Sequence, residues 1–67
     1  MKTEQQIIDE CLELADHFYR MMGYISRPGF KYYESSHPQE QMVWAFAVYA
    51  YDHIEGTDVE DVLDNME

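Results

Sequence analysis

Ten consecutive residues, Met42 to Tyr51 (MVWAFAVYAY), are apolar or aromatic in a chain of only 67. No other feature narrows the possible folds as much. Valine, phenylalanine, tryptophan and tyrosine favour strands, but the segment opens on Pro38, carries three alanines and is long for a strand, which decides for a helix. A helix apolar on every side has to be covered on several sides at once. A chain of this size buries only about 60% of the surface its unfolded form exposes. A neighbouring helix can cover one stripe, Val43, Phe46, Ala47 and Ala50, and a short third helix with an aromatic loop covers part of a second. A face drawn from Met42, Trp44, Ala45, Val48, Tyr49 and Tyr51 is then left without an intramolecular partner.

The magnitudes make that face important. Burying one large aromatic is worth roughly 1.5–3 kcal/mol, and a core of this size rarely yields more than about 3–5 kcal/mol in total. The single cysteine, Cys11, excludes an internal disulfide, and no CxxC or Cys/His cluster points to zinc. Self-association is the staple that remains. Two copies of an antiparallel helix pair would make a C2 four-helix bundle, with Ala45, Ala47 and Ala50 allowing close approach.

The flanking segments read as helix, loop and short helix. From about residue 3 to 22, Ile8, Cys11, Ala15, Phe18 and Met22 recur at helical spacing. Ile7, Leu14 and Met21 widen the stripe on one side, and Leu12 and Tyr19 on the other. Thr3 and Gln6 form a capping-box pair, Asp16 and Arg20 an i,i+4 ion pair, and Gly23 suits the left-handed residue that ends a helix. Residues 23–36 form a loop rich in aromatics (Tyr24, Phe30, Tyr32, Tyr33), with a turn at Arg27-Pro28-Gly29-Phe30. Ser36 and Gln39 are the expected cap of a second helix over residues 37–55, ended by Gly56. Thr57 and Glu60 are the expected cap of a third over 57–66, on a stripe of Val59, Val62, Leu63 and Met66. The expected fold is therefore all-α, a helical hairpin with a short third helix, dimerising into a bundle.

Charge limits the function classes. The chain carries 4 basic and 14 acidic residues, a net of −10. Residues 38–67 hold eight of the acids and no Lys or Arg. That balance argues against direct contact with nucleic acid or an anionic membrane surface. No apolar stretch reaches the roughly 18 residues of a membrane span, and the N-terminus lacks the apolar core of a signal peptide. A soluble, cytoplasmic protein is expected.

Catalytic signals are weak. His17, His37 and His53 are scattered. Asp52-His53-Ile54-Glu55-Gly56 has its glycine at the fifth position, where a calcium loop needs it sixth. Cys11 sits on an apolar stripe with nothing basic beside it to lower its pKa. No glycine-rich phosphate loop and no nucleophile with a visible base occurs, so neither an enzyme nor a cofactor is expected. Two candidate surfaces for a protein partner remain: the loop with Arg27, Lys31, Tyr32 and Tyr33, and the acidic third helix with Asp58, Asp61 and Asp64. Acids at i, i+3 and i+4 also allow an alternative, a decoy that mimics nucleic acid in a basic groove.

The stretch SSHPQEQMVWAFAVYAYDHIEGTDVEDVLDN, with the preceding DHFYRMMGYISRPGFKYY, resembles the small proteins of lambdoid bacteriophages encoded in the lambda exo–xis region. The resemblance implies an early-expressed helical protein that acts on a host process during lytic development, by protein–protein binding and without catalysis. It carries over no binding residue.

Overall fold

The computed structural model describes residues 2–27 and 29–66. Three helices, α1 (Glu4–Met21), α2 (Pro38–Glu55) and α3 (Val59–Met66), are joined by a loop holding one 3₁₀ turn, Tyr32–Glu34. No strand occurs among the described residues.

Local chemistry sets most of these bounds. The Gln6 N–H donates to Thr3 Oγ1 at 3.1 Å, and the Thr3 N–H donates to Gln6 Oε1 at 2.8 Å. This is the reciprocal capping box. At the other end Gly23 takes φ +94°. Its N–H donates to the Arg20 carbonyl and the Tyr24 N–H to the Tyr19 carbonyl, the paired bonds of a Schellman motif. Gly56, at φ +69°, ends α2 in the same left-handed region, its N–H on the Asp52 carbonyl. In the loop the Phe30 N–H donates to the Arg27 carbonyl at 3.2 Å and Gly29 has φ +72°. Both features fit the expected turn, while Pro28 lies outside the described residues.

Two caps differ from the sequence reading. Ser36 and Gln39 do not cap α2. The cap residue is His37, without a side-chain bond of its own, and its N–H donates to Ser35 Oγ at 3.0 Å. α3 is capped by Asp58, not Thr57, since Asp58 Oδ1 accepts from the Asp61 N–H at 3.2 Å. A carboxylate is the stronger acceptor there because it also meets the positive end of the helix.

α1 and α2 run antiparallel. The Tyr51 hydroxyl donates to Glu10 at 2.8 Å at one end, and the Tyr19 hydroxyl donates to Glu40 at 3.0 Å at the other. Between them Ile8, Cys11 and Ala15 pack with Val43, Trp44, Ala47 and Tyr51, and Tyr32 and Val59 complete the buried core. Small residues at Cys11, Ala15 and Ala47 let the helices approach closely, and substituting a larger side chain there would overpack the seam.

The core corrects part of the expected dimer surface. Trp44 and Tyr51 are each only 6% exposed within one chain. Tyr33 packs on Trp44 with ring centroids 5.3 Å apart, and Lys2 lies over the Tyr51 ring. Neither residue is therefore free to form a seam. Phe46, expected under α1, stands outside and exposed.

Candidate functional site

The loop positions the first candidate surface. Tyr32 is buried, its hydroxyl donating to Asp16 Oδ1 at 3.0 Å. Its ring meets Phe30 and Tyr19 edge-on, and Tyr24 stacks on Tyr19 at 4.8 Å. Burial, with Asp16 beside it, pushes the Tyr32 hydroxyl pKa up, so the hydroxyl stays a donor. Tyr32 thus anchors the loop onto α1 and is not itself an accessible contact, which corrects its expected role.

Between loop and α1 lies an open cleft of about 700 Å³, lined by Asp9, Leu12 and Glu13 on the helix and by Phe30, Lys31 and Tyr33 on the loop. Arg27 borders it too, its guanidinium 4.0 Å from the Phe30 ring centre and its Nη2 3.0 Å from Glu40 Oε2. The structure therefore brings Arg27, Lys31 and Tyr33 to one cleft, with Tyr32 as its wall. It places Asp58, Asp61 and Asp64 elsewhere, exposed along α3. Asp58 and Glu60 border a smaller cleft of about 320 Å³ with Ala45, Val48, Tyr49 and Asp52.

One residue that sequence reasoning missed organises the end where the loop joins α1 to α2. Glu40 is buried, and its carboxylate accepts from the Tyr19 hydroxyl, the Arg27 guanidinium and the Ser35 hydroxyl. These donors come from α1 and two points of the loop, so one side chain ties three segments together. The Ser35 hydrogen bond, aided by Tyr19 and Arg27, outweighs burial and holds the Glu40 pKa below its ordinary 4.5. At the opposite end Lys2 bridges Glu10 at 2.7 Å and Glu55 at 2.9 Å, which raises the Lys2 pKa and lowers that of Glu10.

The third feature is apolar. Among the described residues five large apolar side chains stand more than half exposed: Met21 (71%), Ile25 (89%), Phe46 (52%), Tyr49 (78%) and Ile54 (74%). Of the expected dimer residues, Met42, Ala45 and Tyr49 are exposed and Val48 is half-buried. Met21 and Ile54 were not among them, although Met21 belongs to the flank of Ile7 and Leu14 that the helical spacing makes visible.

Cys11 is fully buried, and its thiol is pushed up to about 12 by burial, with Glu60 adding to it. Among the described residues no three His, Cys, Asp or Glu side chains gather as a metal site would require. No helix there is long and apolar enough to cross a membrane. Compared with known proteins, the chain matches no family model, no curated protein and no solved structure.

Proposed function

We propose that this chain is a non-catalytic interaction protein, a homodimer that modulates a host process by binding a protein in the cytoplasm. The lambdoid-phage resemblance supplies the setting, an early protein acting during lytic development. The observation that carries the reading is the set of five large apolar side chains left more than half exposed on so short a chain. Exposed apolar surface marks protein contact sites where it is contiguous, whereas single exposed side chains carry no such meaning.

The cleft between α1 and the loop is the proposed contact for the partner. Its floor offers Leu12, Phe30 and Tyr33, and its rim carries both signs of charge, Asp9 and Glu13 facing Arg27 and Lys31. An apolar centre with a charged rim is the usual anatomy of a protein interface.

A second reading, the acidic decoy, is favoured by α3. Its cap Asp58 and its residues Glu60, Asp61 and Asp64 are all exposed, with no basic side chain on the helix. Capture from a bacterial lysate separates the two. The adaptor reading expects a protein retained by the native chain, lost with Lys31→Glu, and little changed between about 0.05 and 0.3 M salt. The decoy expects the reverse: retention survives Lys31→Glu and disappears with the triple variant Asp58→Asn, Asp61→Asn, Asp64→Asn and at the higher salt. Retention of nothing by the native chain would overturn both.

A further inference from the structure

Four exposed side chains of α2 form a continuous apolar strip. Met42, Phe46 and Tyr49 are 49%, 52% and 78% exposed, and Ala45 is exposed between them. At about 100° per residue the four fall within roughly 100° of arc, on the side of α2 turned away from the buried Val43, Ala47 and Tyr51. Helix neighbours three and four apart lie about 5–6 Å from one another, so the exposure is contiguous over two turns. The start of α3 borders the strip on one side, at Ala45 and Tyr49.

We infer that this strip is covered by the same strip of a second copy, the two α2 helices crossing antiparallel about a two-fold axis between Ala45 and Phe46. The inference rests on the homodimer reading and replaces the seam the sequence suggested. Fit is the first argument for this occupant. A two-fold interface sets each patch against itself, and the spacing of this one is symmetric about its own midpoint. Met42 and Tyr49 lie equally far out on either side, and Ala45 and Phe46 equally close in. Antiparallel pairing therefore lays Met42 on Tyr49 of the copy and Phe46 on Ala45 of the copy, a large side chain over a small one at the axis.

Charge is the second argument. Two chains of net charge −10 can meet closely only where acids are absent, and residues 41–51 carry no charged side chain. The exposed acids of α2, Asp52 and Glu55, lie in its last turn, whereas Glu40 in its first turn is buried. Parallel pairing sets Asp52 beside Asp52 of the copy. Antiparallel pairing carries Asp52 instead to Gln39 of the copy, an amide donor at the positive end of its helix.

The area is modest. A buried aromatic side chain covers about 150–250 Å², so Phe46 and Tyr49 at their exposure leave roughly 250 Å² open in each chain. With Met42, Ala45 and the polar margins, two copies bury on the order of 1,000 Å², the low end of specific interfaces. The dimer is accordingly weak and dependent on concentration.

The test is molar mass by sedimentation equilibrium over a wide concentration range, for Phe46→Glu and Tyr49→Glu on the strip and Ile25→Glu and Ile54→Glu off it. All four positions are exposed, circular dichroism verifies each fold, and the second pair controls for the added negative charge. The expected result is association weakened at least about tenfold for the first two, through burial of an unpaired charge, with the second two close to the native chain. Cysteine pairing reads the direction: Met42→Cys mixed with Tyr49→Cys under oxidised glutathione is expected to form covalent dimers faster than either variant alone, while the fully buried Cys11 stays out of reach. A native dimer that survives both Phe46→Glu and Tyr49→Glu, or Met42→Cys linking to itself faster than to Tyr49→Cys, overturns the antiparallel strip while leaving the homodimer standing. A native chain that stays at 8.0 kDa throughout overturns both.

Discussion

Removing the Glu40 carboxylate should cost a large part of the stability of this chain. The side chain is buried and accepts three hydrogen bonds, and bonds to a charged group contribute about 1.5–3 kcal/mol each. Arg27 is well exposed and rehydrates when released, so its share is small. Tyr19 and Ser35 are half-buried and recover water only in part. Glu40→Ala is therefore expected to cost about 2–4 kcal/mol, against roughly 3–5 kcal/mol for the whole core of such a chain. Glu40→Gln keeps the volume and part of the bonding and is expected to cost about 1–2 kcal/mol. Urea denaturation followed by circular dichroism, at one fixed protein concentration because a dimer couples stability to concentration, measures both.

The same group gives a pH signature. Its folded pKa is lowered below 4.5, so the unfolded chain binds its proton first as pH falls. The stabilisation is present above the unfolded pKa and is lost as pH drops through the folded one. The stability gap between the native chain and Glu40→Gln should thus narrow between pH 7 and pH 3. A Glu40→Ala midpoint within about 0.5 kcal/mol of the native one, or a gap that does not move with pH, would refute the idea that this carboxylate ties the loop to both helices.

Three further outcomes follow from the local geometry. Gly23→Ala should lower stability by about 1 kcal/mol, since a Cβ there meets nothing within 4 Å and the whole cost is the positive φ; a urea midpoint at or above the native value contradicts that. Asp58→Ala should cost about 0.5–2 kcal/mol, whereas Thr57→Ala should cost less, and thermal melts of the pair would reverse in order if Thr57 were the cap. Trp44 emission should be blue-shifted, resistant to iodide and unchanged on dilution, because one chain alone buries it; a red shift on dilution would put it back at the subunit seam.

Much of the fold was legible in local sequence. The Thr3/Gln6 capping box, the left-handed Gly23 and Gly56, and the Ile8–Cys11–Ala15 stripe are signals read within a few residues of one another, and they set where α1 begins and where α1 and α2 end. The choice between Thr57 and Asp58 was not legible, since both side chains can cap and only the exit direction after Gly56 decides between them. Glu40 looked like an ordinary acid of a first helical turn; its donors lie 5, 13 and 21 residues away, and no periodicity encodes such a meeting. The apolar run had the converse problem. When every face of a helix is apolar, spacing cannot say which one points inward, and the loop settled it by bringing Tyr33 onto Trp44. That choice moved Phe46 to the outside, where it stands 52% exposed.

Sedimentation equilibrium on the native chain at neutral pH, from about 1 µM to several hundred µM, tests the central claim most directly. The account predicts a mass that rises with concentration from 8.0 kDa toward twice that value and levels off there. It also predicts stronger association at higher salt, because screening relieves the repulsion between two chains of net charge −10. A single species of 8.0 kDa across the whole range would contradict it.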